Sequence, residues 1–185
     1  MKTLIVVDMQ NDFIDGSLGT KEAQAIVPNV QAKIKEYIAR GDRVIFTQDT
    51  HGENYLQTNE GRNLPVEHCI SGTHGWMIRE EIDVPGCDHI RKPTFGFMGW
   101  NETYTFDDDI EMVGLCTGIC VISNALILKA MFPDIRISVA SDCCACVTPE
   151  SHAAALQTMK MCQINDLMRL LEAYRSGAVL ENHKA

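Results

Sequence analysis

Thr3–Asp8 is a continuous apolar run that ends in a carboxylate. As a strand, Leu4-Ile5-Val6-Val7 has no polar face to turn toward water, so it has to be covered on both sides. Arg43–Gln48, His89–Arg91 before Lys92-Pro93, Glu111–Leu115 and Ile135–Ala140 read as further strands. Between them lie helical patterns. Ala25–Ala39 places Ile26, Val30, Ile34 and Ile38 at helical spacing and is closed by Gly41. Val121–Met131 stops before Pro133, and a helix capped by Thr148, with Pro149 at its first position, runs to about Met161. Leu167–Tyr174 reads as a last helix. Strands alternating with helices give an α/β fold, a three-layer α/β/α sandwich around a mainly parallel sheet.

The chain of 185 residues is expected to form one domain, with its core at about 3–163 and a tail over 164–185. Its 45% hydrophobic and 22% charged residues are ordinary globular values. A net charge of −9 without a Lys/Arg cluster excludes nucleic acid as a partner and disfavours a polyanionic substrate. No apolar stretch reaches membrane-spanning length, and no signal peptide is legible, so the expected location is the cytoplasm. The 8 cysteines then read as reduced thiols, most of them small core residues, including the Cys143-Cys144-Ala145-Cys146 cluster.

In an open parallel sheet, ligands bind beyond the carboxyl ends of the strands. Asp8, Asp49, Lys92 and the Cys116–Cys120 segment all fall there. Cys120 follows Thr117-Gly118-Ile119 at the start of a helical pattern, where the helix dipole favours a thiolate. The alternative is a buried structural thiol. Asp8 is either a base for that thiol or a cap on the next turn, and Lys92 is either a buried cation or a solvated one. Asp49 and His51 stand as Asp-x-His after a strand, and His68 can return from the unpatterned loop Gly52–Gly75. One carboxylate and two imidazoles suit zinc, iron or manganese; the other reading is a polar loop with solvated histidines. His74, His89, His152 and His183 have no comparable partners.

The segments Leu4–Phe13, Phe46–His51, Leu64–Thr73, Arg91–Gly96 and Val113–Val121 together resemble the isochorismatase-like cysteine hydrolases, and within them the nicotinamidases and pyrazinamidases. The resemblance implies a Rossmann-like sandwich and hydrolysis of a small amide through a cysteine thioester, most closely nicotinamide to nicotinate and ammonia. It also implies an Asp8–Lys92–Cys120 triad and a metal, zinc before iron or manganese, on Asp49, His51 and His68. A cis peptide at Leu115–Cys116 would turn the Cys116 N–H toward that of Cys120 as an oxyanion hole. Phe13, Leu18 and Trp76 are candidate pocket walls, and a homo-oligomer formed through the tail is expected.

The chain departs from the nicotinamidase pattern at Leu64, at Val66-Glu67 before His68, and at Gly118, where an acidic residue is usual. Alternatives on the same fold are an amidase for carbamoyl or ureido groups and a non-catalytic or thiol-redox protein. Ether cleavage of isochorismatase type is disfavoured, because relatives of that kind do not need the cysteine.

Overall fold

The computed structural model describes residues 1–166. Its strands are β1 (Thr3–Val7), β2 (Arg43–Asp49), β3 (Asp88–Lys92), β4 (Ile110–Leu115), β5 (Ile137–Ala145) and β6 (Asn165–Asp166). They form one sheet in the order β3-β2-β1-β4-β5-β6, and every pairing is parallel. The helices are α1 (Asn11–Ile14), α2 (Lys21–Ala39), α3 (Asn59–Asn63), α4 (Trp100–Thr103), α5 (Ile122–Met131) and α6 (Pro149–Met161).

Side chains of β1 alternate between two separate cores, as strand geometry requires. Leu4 and Val6 pack with Ile26, Val30 and Ile34 of α2. Ile5 and Val7 pack with Ala125 and Leu128 of α5 and Met159 of α6. Leu4, Ile5, Val6 and Val7 have no exposed surface, so truncating Leu4 or Ile5 to alanine would cost about 2–5 kcal/mol. Both faces of the sheet are covered, which explains the unbroken apolar run.

Several boundaries differ from the sequence reading. Helix α2 starts at Lys21 rather than Ala25, because the Thr20 side chain caps it by accepting from the Ala23 N–H at 3.0 Å. Strand β5 runs to Ala145 and so contains Cys143 and Cys144. The polar pair Ser141-Asp142 broke the apolar pattern, and the β4–β5 register shifts between Met112 and Gly114. Gly114 has φ +115° and lies so close to Val7 that a Cβ would stand 2.1 Å from its carbonyl oxygen. Glycine alone fits there. The loop 52–75 holds a 3-10 turn, Tyr55–Gln57, and helix α3 capped by Thr58. Strand β6 spans two residues, too short to show a pattern. The expected helix Leu167–Tyr174 lies outside the described residues. Among the described residues no helix is long and apolar enough to cross a membrane.

Candidate active site

Parallel register brings the strand ends to one edge. Val7 pairs with Thr47 and Gly114, and Asp49 pairs with Lys92. Asp8, the residue after β1, turns into the left-handed region at φ 47° and is fully buried. Its carboxylate accepts from Thr47 Oγ1 at 2.6 Å and lies 2.6 Å from Lys92 Nζ. Lys92 is itself fully buried, 3.5 Å from Asp49 Oδ1 and 3.6 Å from Cys120 Sγ. The Asp8 carboxylate is near enough to act on the Cys120 thiol and raises it. The three residues expected as a triad are therefore in mutual contact.

Cys120 sits in a π-helical turn, Thr117–Val121, after a cis peptide between Leu115 and Cys116. The N–H groups of Ile119 and Val121 both donate to the Cys116 carbonyl, at 3.0 and 3.1 Å. Buried Asn124 fastens the turn from below. Its Nδ2 donates to the Cys120 and Phe95 carbonyls, and its Oδ1 accepts from the Phe97 N–H and Trp100 Nε1. A further tie is Thr117 Oγ1 to His152 Nδ1 of α6, at 2.8 Å.

The electrostatics correct one expectation. A helix start was expected to favour a resting thiolate at Cys120, yet the thiol is pushed well above its ordinary value. Burial is the main cause and the Asp8 charge adds to it, against the opposing pull of Lys92. Burial raises Asp8 as well, with Lys92 opposing and Asp49 adding. A carboxylate raised in this way is a stronger base for the thiol proton. Burial alone would lower Lys92, but Asp8, Cys120 and Asp49 outweigh it and keep the ammonium charged.

Beside this group lies a second one. Gln10 clamps the Asp49 backbone: its Oε1 accepts from the Asp49 N–H at 2.8 Å, and its Nε2 donates to the Asp49 carbonyl at 2.9 Å. Asp49 Oδ2 is 2.9 Å from His51 Nε2 and 3.7 Å from His68 Nε2. Glu60 Oε1, from α3, is 3.7 Å from the first imidazole and 3.8 Å from the second. One ligand atom from each of these four residues lies within 4.8 Å of all the others. The His68 Nδ1 bonds the Val66 carbonyl at 2.8 Å, which directs Nε2 inward. Asp49 Oδ1 is buried without a hydrogen bond and lies 3.5 Å from the Lys92 ammonium. Burial would raise Asp49, but His51, His68 and Lys92 together hold it well below the usual carboxylate range. Two carboxylates and two inward imidazole nitrogens fit a divalent ion.

Asp12 sets the His68 loop. Its Oδ2 accepts the Cys69 N–H at 2.8 Å, where the backbone is left-handed at φ 47°. Of the expected pocket walls, the Phe13 ring lies 5.5 Å from that of His68. Trp76 Nε1 donates to Thr50 Oγ1 at 2.8 Å, and the Arg91 guanidinium covers its ring. Leu18 is tied to Asp12, through its N–H to the Asp12 carbonyl at 2.9 Å. Glu60, Gln10, Thr47 and Asn124 were missed. Of these, only Glu60 has a local neighbour of note, the capping Thr58 two positions before it, and a helix cap does not mark a ligand. His89 and His152 also have partners, Asp83 and Thr117, that spacing did not reveal.

Known proteins share this chain's sequence family and fold. A family model described as the isochorismatase domain matches residues 2–169. A nicotinamidase/pyrazinamidase of Mycobacterium tuberculosis is 27% identical over 186 residues, covering 89% of this chain and 97% of its own. An uncharacterised isochorismatase family protein, PncA, of Bacillus subtilis is 29% identical over 84% of this chain and 92% of its own. The crystal structure of a Pyrococcus horikoshii pyrazinamidase in complex with zinc superposes with a TM-score of 0.77. It is 28% identical and covers 89% of this chain and 97% of that one. The sheet order, the edge where the polar residues gather and the span of the match lead to one assignment: the chain belongs to the isochorismatase family.

Proposed function

We propose that the protein hydrolyses a small carboxamide, nicotinamide to nicotinate and ammonia, through a thioester on Cys120. The observation that carries this reading is the contact of Cys120 with both Asp8 and Lys92 inside a buried site. Asp8 takes the thiol proton as the sulfur attacks the carboxamide carbon. Lys92 stays charged and balances the negative charge as it moves from carboxylate to sulfur. The backbone N–H groups of Cys116 and Cys120 receive the developing oxyanion. Asp8 then returns the proton to the departing nitrogen, and ammonia leaves. Attack of water on the thioester, with Asp8 again as the base, releases the acid and restores the thiol.

Asp49, His51, Glu60 and His68 would hold a divalent ion, zinc before iron or manganese by the donor set, which when bound supplies a Lewis acid beside the amide pocket. Phe13, beside His68, and Trp76, held by Thr50, would flank a planar ring. The relatives' names support nicotinamide and pyrazinamide as substrates, while Leu64 and Val66-Glu67 near His68 set this chain's own preference. Ammonia release across a panel of nicotinamide, pyrazinamide, carbamoyl and ureido compounds tests the assignment. Turnover of nicotinamide or pyrazinamide above the others supports it. Exclusive turnover of a ureido compound would replace it.

A further inference from the structure

A second pair of thiols lies behind the nucleophile turn and has no part in that reaction. Leu115 pairs with Ala145 in the β4–β5 register. Cys116 and Cys146 are the residues immediately after these two parallel strands, where the chain leaves the sheet edge. Neighbouring strands lie about 4.8 Å apart, within the roughly 4.4–6.8 Å between Cα atoms that a disulfide spans. Both cysteines are free, and the Cys116 side chain is near enough to act on the Cys146 thiol. The Cys146 sulfur also faces the Ser151 side chain and the N–H groups of Gly118 and Val147. Gly118 is part of this cradle, since a Cβ there would stand 3.2 Å from Cys146 Sγ. A cavity of about 380 Å³, lined by Cys146, Gly118, Ile122 and Ser151, lies against the Cys146 side of this pair.

We propose that Cys146 and Cys116 form a peroxide-reactive dithiol whose disulfide controls the nucleophile turn. The hydrogen bond from Cys116 is the largest influence on Cys146. With those from Ser151, Gly118 and Val147 it outweighs burial and pulls the thiol down to about 5, which favours the thiolate. Burial and Asp8 push Cys120 the opposite way. The thiolate attacks a hydroperoxide, breaking the O–O bond; Cys146 becomes a sulfenic acid, and the leaving oxygen departs as hydroxide or alkoxide. The Cys116 thiol then attacks the sulfenic sulfur, the S–S bond forms and water leaves. A dithiol reductant reverses the step. Cys116 supplies the carbonyl that anchors Ile119 and Val121 and the N–H assigned to the oxyanion, so tying it to Cys146 re-aims both. This control of turnover rests on the amidase reading, whereas the disulfide does not.

The test treats the full chain with hydrogen peroxide, blocks free thiols, maps the peptides and measures ammonia release in parallel. Wild type and Cys120→Ala are expected to show a Cys116–Cys146 cross-link, and Cys146→Ser none. Wild-type activity is expected to fall by at least about tenfold, the scale of a weakened oxyanion donor, and to return with dithiothreitol. Cys146→Ser, which keeps a hydrogen-bonding partner for Cys116, should keep its activity before treatment and resist the loss. Finding Cys116 and Cys146 still free after treatment would overturn the dithiol. A cross-link without change in ammonia release, or equal loss in Cys146→Ser, would overturn its control of the turn. Where no amide is turned over, the peptide map still decides whether the disulfide forms.

Discussion

Replacing Lys92 with methionine removes a charge while keeping most of the side-chain volume. It leaves Asp8 and Asp49 buried with no ammonium between them. Both carboxylates are almost wholly shielded, with 0% and 3% of their side chains exposed, so solvent screens little of the loss. Removing one partner from a buried ion pair costs about 3–5 kcal/mol. In a chain of 185 residues that lowers the melting temperature by roughly 6–20 °C. The penalty also has a defined pH dependence. Burial already raises Asp8 above its ordinary 3.8, and Lys92 opposes that rise. Without Lys92 the folded-state value climbs further above the unfolded one. The folded variant then binds the Asp8 proton more tightly than the unfolded chain does. Its deficit relative to wild type is therefore smallest below the ordinary carboxylate value and grows as pH rises through the raised one. Urea unfolding of both proteins from pH 4 to 8, with a chelator present so that no ion compensates Asp49, measures the difference. A deficit under about 1 kcal/mol at neutral pH, the scale of an exposed pair, or one that does not change with pH, would show that Lys92 does not balance the two buried carboxylates.

Asn124→Ala removes four hydrogen bonds around the nucleophile turn. It should cost about 2–3 kcal/mol in unfolding free energy and lower kcat more than it changes KM; unchanged kcat would separate Asn124 from the positioning of Cys120. At Gly75 a Cβ would stand 2.1 Å from Asp12 Oδ2. Gly75→Ala should therefore pull Asp12 from the Cys69 N–H and weaken zinc binding by about 10- to 100-fold, as read by equilibrium dialysis; wild-type affinity would contradict that role for Asp12. Because Asp8 is raised and acts as the base, kcat/KM should fall on the acid side at a pH above 3.8. A profile flat down to that value would exclude Asp8 as the base.

Thr3–Val7 shows how far the sequence alone reaches. Its unbroken apolar character demanded cover on both faces, which in turn demanded parallel strands with helices between them. The ends of those strands then located Asp8, Asp49 and Lys92. Cys120 was legible for the same reason, as the thiol beyond β4. Glu60 was not, because its short helix is held by Thr58 and by the packing of Gly61 on Tyr55 rather than by any apolar period. Gln10, Thr47 and Asn124 act across 39 or more residues or between elements, and local spacing carries no trace of that. The protonation state of Cys120 was misjudged because the dipole argument counts only its own turn. Asp8 and the burial that raise it come from the other side of the sheet edge. The Cys116–Cys146 contact was hidden by the β4–β5 register shift, which sequence does not announce.

Everything proposed for the site depends on Cys120 being the nucleophile of an amide hydrolysis. Ammonia release from nicotinamide by wild type and by Cys120→Ala, each confirmed as folded by circular dichroism, tests it most directly. Release by wild type that falls at least about a thousandfold in the variant, as expected when a covalent nucleophile is removed, is the predicted result. Comparable release by the two proteins would contradict the account.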